Sequence, residues 1–352
     1  MEFGITFFPT IGPDDRPADQ YFDECLALAE LADELGLHHV RTVEHYFFEY
    51  GGYSPDPVTF LAAAAARTRR IRLGTSAVIP AFTHPVKLAG KLAMLDNISH
   101  GRLDVGFGRA FLPDEFEAFQ VPMDESHIRF QEGIEACKRL WSEKAVVWEG
   151  THHRFGPVTL LPRPVQQPHP PVYVTTARSL ESCEAAGRNG HNLQMVGAIL
   201  TREQIQERLA AYRKAWVEAG HEPGAERVQL SYPAFLSEDA DQALRIATYD
   251  EGKGGERIGA AVSSWSSRTS QAYPGYEKLA DQALRPTVAD KIRDNKVLAG
   301  TPQQVCEQLA QISEWFGNDV IISVAVHSGQ LSFEDAERTV RLLAEQVAPK
   351  FR

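Results

Sequence analysis

Hydrophobic residues along the 352-residue chain form short apolar runs that alternate with longer stretches of helical periodicity, almost from end to end. The apolar runs predict eight strands, at residues 3–8, 38–43, 71–80, 103–108, 171–176, 191–196, 228–235 and 320–326. Apolar positions three or four residues apart predict helices at residues 21–35, 57–68, 85–98, 129–141, 180–188, 202–219, 301–315 and 333–346. The strands are apolar rather than alternating, which is typical of a sheet covered by helices. The pattern therefore predicts one (β/α)8 barrel domain, of the α/β class, over residues 1–352.

Two stretches are longer than the repeating unit requires. Residues 146–170 carry five prolines and predict a hairpin or rim loop before the fifth strand. Residues 237–296 predict an insertion after the seventh strand, with a glycine-rich run at 251–255 and a serine-rich run at 263–267. Because barrel active sites lie at the C-terminal ends of the strands, this insertion is a candidate lid. A partly helical decoration with a mobile glycine and serine tip is the alternative.

Charge and cysteine usage narrow the class of protein. With 36 Lys and Arg against 47 Asp and Glu, the net charge of −11 disfavours nucleic acid and anionic membranes as partners. The longest apolar run, residues 60–66, is too short to cross a bilayer. Four scattered cysteines without a Cys-x-x-Cys pair are typical of reduced thiols. We therefore expect a cytoplasmic enzyme.

The second and third strands end in residues that could take part in catalysis or contact a ligand. His45 follows the second strand beside an acid and several aromatic residues, so it is a candidate general acid or base, or else a packed rim histidine. Glu44 is expected to point the other way and to be structural, because side chains alternate along a strand. The small side chains of Ser76 and Ala77 would let a flat ligand approach the backbone, although tight interior packing explains them as well.

The fourth and fifth strands end in groups suited to an anion. Arg109 follows Gly-x-Gly at the end of the fourth strand and offers paired hydrogen bonds to a phosphate or carboxylate. Ser179 opens the helix after the fifth strand, where free backbone N–H groups bind anions, although a simple N-cap explains this serine equally well. Since these strands are barrel neighbours, the two features predict one phosphate site. No metal site is expected, because the adjacent histidine pairs at 38–39 and 152–153 diverge in a strand.

A known family has five segments in the order and spacing found here at residues 44–47, 51–57, 72–80, 83–86 and 95–109. The chain resembles bacterial luciferase and the wider luciferase-like flavin monooxygenases, most densely over residues 38–125 and again at 170–190 and 299–309. The resemblance implies a barrel that binds reduced FMN (FMNH2), supplied by a separate flavin reductase. It also implies reaction with O2 to a C4a-(hydro)peroxyflavin, oxygenation of a small organic substrate, and assembly as a homodimer.

The resemblance assigns a role to each candidate by matching position. His45 matches the catalytic histidine, and Ser76–Ala77 matches a non-prolyl cis peptide that packs against the flavin ring. The residues that would hold or face the FMN phosphate are Arg109, Arg178, Ser179 and Ser182. Gly108 stands where luciferase has a reactive cysteine, which argues against light emission and leaves the substrate open. An F420-dependent dehydrogenase or reductase and a non-catalytic flavin-binding protein are the alternatives.

Overall fold

The computed structural model describes residues 1–176, 179–279 and 286–351. Its strands are β1 (Glu2–Phe7), β2 (His39–Thr42), β3 (Arg72–Thr75), β4 (Leu103–Gly108), β5 (Val146–Glu149), β6 (Arg154–Val158), β7 (Val172–Thr176), β8 (Asn192–Val196), β9 (Val228–Leu236), β10 (Leu298–Gly300) and β11 (Ile321–Ala325). Eight of them pair in parallel in the order β9-β11-β1-β2-β3-β4-β7-β8, and β8 closes the ring by pairing with β9. The predicted (β/α)8 barrel is confirmed. Strand β10 pairs with the end of β9 outside this ring.

The helices are α1 (Ala18–Glu34), α2 (Pro57–Arg67), α3 (Pro85–Ile98), α4 (Pro113–Ala118), α5 (Ser126–Ser142), α6 (Leu180–Arg188), α7 (Arg202–Glu218), α8 (Ala240–Ala261), α9 (Val288–Arg293), α10 (Pro302–Phe316) and α11 (Phe333–Leu342). Several begin at a residue whose side chain accepts a backbone N–H of the first turn, as Asp56 does for α2 and Thr301 does for α10. Helix α4 was not predicted, since six residues are too few to show a helical period.

The barrel strands differ from the sequence prediction in one respect. They are not apolar throughout, because polar residues occupy positions that point into the barrel. Outward side chains such as Ile5 and Leu73 pack in one hydrophobic cluster with helix residues such as Leu92. Inside the barrel, the buried Arg41 donates from Nε to Thr6 and Ser323, and from NH1 to Gln229 on the other side of the ring, at 2.7 Å. The prediction of uniformly apolar strands was therefore wrong. A closed barrel has an inner face of its own, and here small and polar residues fill it.

The two long connections have different structures. Residues 146–170 begin with the antiparallel hairpin of β5 and β6. In the second connection, the glycine-rich run 251–255 lies within α8, and the serine-rich run forms a 3-10 turn at Ser263–Ser267. The following residues, up to 279, pack in a second hydrophobic cluster at the C-terminal ends of β3 and β4. Whether this connection acts as a lid stays a prediction. No helix among the described residues has the length and hydropathy to span a bilayer.

Candidate active site

His45 lies just beyond the end of β2 and is held by a carboxylate from another part of the chain. Its Nδ1 is 3.1 Å from Oε1 of Glu115, and the backbone N–H of Tyr46 donates to the same oxygen at 2.9 Å. The side chain of Glu115, on α4, is 1% exposed. Two donors on one carboxylate oxygen fix the imidazole with its Nδ1–H toward Glu115. The other ring nitrogen, Nε2, is then the one available for proton transfer.

Aromatic rings surround His45. The ring centroids of Phe8, Tyr50 and Phe111 lie 5.7, 5.5 and 5.8 Å from the imidazole centroid. These rings come from the loops after β1, β2 and β4, so the enclosure depends on barrel closure. Gly51 makes the close packing feasible, because a Cβ there would lie 2.6 Å from the Cβ of His45. The imidazole therefore sits in a largely apolar recess, where its electrostatic interaction with Glu115 is strengthened.

Glu44 faces away from His45, as the strand alternation predicts. Its Oε1 accepts the hydroxyl hydrogen of Tyr46 at 2.7 Å, and its Oε2 accepts the backbone N–H of Ile79 at 3.0 Å. Burial raises the pKa of this carboxyl to about 7. The role of Glu44 is structural, since it fastens the end of β2 to the loop after β3.

The peptide bond between Ser76 and Ala77 is cis, as the resemblance implies. The backbone N–H of Ser76 donates to the carbonyl of Thr42 at 2.8 Å, so this segment continues the β2–β3 pairing. On the neighbouring strand, a Cβ at Gly108 would lie only 2.8 Å from the Cβ of Ala77. The cysteine that luciferase has here would collide with Ala77. The flavin contact assigned to Ser76 and Ala77 stays a prediction.

Arg109 and the start of α6 follow adjacent strands, because β4 pairs with β7 and Gly108 lies opposite Thr175. The guanidinium of Arg109 donates to the carbonyl of Ala272 at 3.2 Å and lies 4.6 Å from the ring centroid of Tyr273. The strand order places Arg109 and the start of α6 after neighbouring strands, and their convergence on one phosphate stays a prediction.

The serines at the start of α6 form a capping interaction. Ser179 Oγ accepts the backbone N–H of Ser182 at 3.1 Å, which makes Ser179 the N-cap. A capping serine leaves other N–H groups of the first turn for an anion. Arg178, which the resemblance places beside the phosphate, lies outside the described residues.

Sequence reasoning missed two residues of the site. Glu115 is 70 positions from its partner His45 and lies in the unpredicted helix α4. Tyr273 belongs to the long connection, and no local pattern links it to Arg109. Elsewhere in the described residues, no group of three or more His, Cys, Asp or Glu side chains is placed to hold a metal ion.

Comparison with known proteins identifies the family to which this chain is similar. The profile of the family described as luciferase-like monooxygenase matches residues 1–319. The flavin-dependent trigonelline monooxygenase oxygenase component of Acinetobacter baylyi is 30% identical, over 100% of this chain and 96% of that protein.

Two solved structures share the fold over nearly the full length of both chains. Monooxygenase RslO1 from Streptomyces bottropensis is 54% identical, with a TM-score of 0.90 and coverage of 100% of both chains. The oxygenating constituent of 3,6-diketocamphane monooxygenase from Pseudomonas putida, in complex with FMN, is 23% identical, with a TM-score of 0.82. It covers 99% of this chain and 98% of its own, and at that identity it supports the fold only.

Proposed function

This chain belongs to the luciferase-like monooxygenase family, and from that premise we propose that it is the oxygenating component of a two-component FMN-dependent monooxygenase. A separate flavin reductase would supply reduced FMN, and the enzyme would use it with O2 to oxygenate a small organic substrate. The similarity to a relative named as a flavin-dependent oxygenase component supports the two-component arrangement.

The observation that carries this proposal is the His45–Glu115 pair within its aromatic recess. A monooxygenase of this kind requires a site that excludes water and a group that handles protons. Phe8, Tyr50 and Phe111 supply the first requirement, and His45 supplies the second.

The residues present fit FMN. The donor set for the phosphate comprises the Arg109 guanidinium, the first-turn N–H groups of α6, and the hydroxyls of Ser179 and Ser182. The cis Ser76–Ala77 peptide, just beyond the end of β3, would offer backbone against which a flat ring can pack. Reduced FMN supplies the two electrons that O2 activation needs. Arg178 would add positive charge near the phosphate.

In this proposal the chain's own residues have three tasks. The phosphate contacts anchor the cofactor, and the aromatic rings keep water away from the reacting atoms. His45 holds or transfers a proton at Nε2, while Glu115 orients the imidazole through Nδ1.

Anaerobic titration of the purified protein with FMN, FMNH2 and F420 tests the cofactor. We expect FMNH2 to bind tightly, and mixing with O2 in a stopped-flow spectrophotometer to give the transient band of a C4a-(hydro)peroxyflavin. Tight binding of F420 with hydride transfer and no O2 consumption would instead identify an F420-dependent dehydrogenase or reductase. Flavin binding without any O2 reaction would identify a non-catalytic flavin-binding protein.

A further inference from the structure

Arg109 is held in a defined orientation by the segment 263–279, which we name the strap. The guanidinium lies 4.6 Å from the ring centroid of Tyr273, and one of its NH2 hydrogens is donated to the carbonyl of Ala272 at 3.2 Å. A guanidinium is planar and has five N–H donors at its edge. An aromatic ring on its face leaves most of these edge donors for a ligand, and paired recognition of phosphate uses that edge.

We propose that Tyr273 is a positioning residue for phosphate recognition, holding the guanidinium of Arg109 with its edge toward the phosphate of FMN. This inference rests on the proposed function, because it assumes that Arg109 binds the cofactor phosphate. It adds a specificity determinant from the strap, because Tyr273 lies 164 residues along the chain from Arg109. The ligand class that it favours is a flavin carrying a phosphate over one without.

Tyr273 is itself held rigidly enough to orient a neighbour. Its side chain is 2% exposed, and its hydroxyl donates to the carbonyl of Ala110, the residue after Arg109. Its ring packs against Phe116 and Trp265 at centroid distances of 6.0 and 5.6 Å. Burial raises the pKa of Tyr273 to about 12, so the hydroxyl remains a hydrogen-bond donor at neutral pH. A fixed ring on one face restricts the guanidinium to few orientations.

Two carboxylates outside the strap also anchor it. Asp124 accepts the backbone N–H of Ala272 at 3.2 Å and the hydroxyl hydrogen of Ser270 at 2.5 Å. Ser264 donates to Asp114 of α4 at 2.5 Å. The same helix carries Glu115, which holds His45. The strap is thus attached both to the proposed phosphate anchor and to the helix that orients the histidine.

Binding constants for FMN and riboflavin test the inference, since the two ligands differ only in the phosphate. For Tyr273→Leu we expect FMN affinity to fall about 3- to 30-fold, the range for a lost cation–π contact, with riboflavin affinity within about twofold of the unchanged protein. Tyr273→Phe retains the ring and should keep the FMN to riboflavin ratio. Tyr249→Leu is the control, because Tyr249 is 55% exposed on α8 and its replacement should leave both affinities unchanged.

Two further variants keep the test decisive. Asp124→Ala removes the anchor of Ala272 from an exposed position, so it weakens FMN selectively even if Tyr273→Leu does not fold. An unchanged FMN to riboflavin ratio in Asp124→Ala, and in Tyr273→Leu where that variant folds, would overturn the inference. Arg109→Ala, measured in parallel, should weaken FMN about 10- to 150-fold and leave riboflavin unchanged. If Arg109→Ala also leaves the ratio unchanged, Arg109 does not bind the phosphate. The phosphate site in the proposed function and the positioning role of Tyr273 are then both wrong.

Discussion

At the scale of single residues, proton handling in the recess depends on His45. His45 lies beyond the end of β2 and takes no part in the strand pairing of the barrel, so replacing it should leave the fold and the phosphate anchor intact. We expect His45→Ala to bind FMNH2 with near-native affinity and to lose about 10²- to 10⁴-fold in product formation, as for a removed general acid or base. Oxygen should still be consumed, with hydrogen peroxide released. Product, oxygen and peroxide assays on the same sample check this.

Native turnover by the His45→Ala variant, or its failure to fold, would reduce His45 to a packing residue. Circular dichroism and FMNH2 titration separate these two results.

Glu115 provides a second residue-scale prediction. Glu115→Gln keeps the size of the side chain but replaces one carboxylate oxygen by an amide N–H, which can turn toward Nδ1 and no longer fixes the imidazole in one orientation. We expect product formation to fall about 10- to 100-fold. Glu117→Gln is the control, because Glu117 lies on the same helix and pairs with Arg268. Equal product formation by the two variants would contradict the role assigned to Glu115.

The site residues differ in how far sequence could identify them. His45, Arg109 and Ser179 sit in short motifs at strand ends, so a local pattern and a family resemblance point to them. Glu115 contributes through a contact that spans 70 positions, and Tyr273 contributes through one that spans 164. Such contacts arise from barrel closure and from the packing of a long connection, and neither leaves a periodic signal.

At the scale of elements, α8 is joined to the end of the last barrel strand through a buried carboxyl. The hydroxyl of Ser328, just after β11, donates to Asp250 of α8. Burial, with a smaller effect of the neighbouring Glu251, raises the pKa of Asp250 to about 7, while the Ser328 bond and Arg257 lower it. The carboxyl is therefore largely protonated in the folded protein below neutral pH.

The pH dependence of stability follows from this pKa. Between about pH 4 and pH 7 the folded state keeps the proton that the unfolded state has lost, so stability declines as pH rises and then levels off. Asp250→Asn imitates the protonated form. We expect it to raise the free energy of unfolding most at pH 8, by up to about 4 kcal/mol, and progressively less toward pH 5. Urea unfolding across this pH range measures the difference.

Glu256→Gln, at an exposed position of α8, is the control for Asp250→Asn and should leave the pH dependence unchanged. A constant difference between Asp250→Asn and the unchanged protein at all pH values would show that the carboxyl does not titrate as proposed.

The sequence predicts an element accurately where a continuous apolar pattern is bounded by residues that mark its ends. Strand β4 and helix α6 begin and end at the predicted residues, because glycines, a capping serine and continuous apolar runs mark them. The inward polar face of the barrel was missed, because a short apolar strand and a strand with alternate small polar residues are hard to distinguish over five residues. The contacts of Arg41 across the ring exist only after closure.

At the scale of the whole molecule, exposed apolar side chains lie on α3 and on the connection at residues 146–170. Met94 and Ile98, one turn apart on α3, are 57% and 39% exposed, and Leu161 and Val165 are 81% and 52% exposed. The connection is fixed to α3 because Asn97 donates to the carbonyl of Arg163 at 2.7 Å. Clustered exposed apolar side chains on rigid elements are typical of protein interfaces. We propose that this surface joins two copies of the chain in the homodimer that the resemblance implies.

The oligomeric state tests this surface. In a twofold dimer each substitution acts twice, and burying one large apolar side chain contributes about 1.5–3 kcal/mol. We therefore expect Leu161→Asp to raise the dimer dissociation constant at least about 100-fold, and to give monomers in sedimentation equilibrium at micromolar concentration. Val217→Asp on α7, where the native side chain is 50% exposed, is the control and should leave the dimer intact. Monomers in the unchanged protein, or a dimer that tolerates Leu161→Asp and Met94→Asp together, would show that this surface does not join two copies.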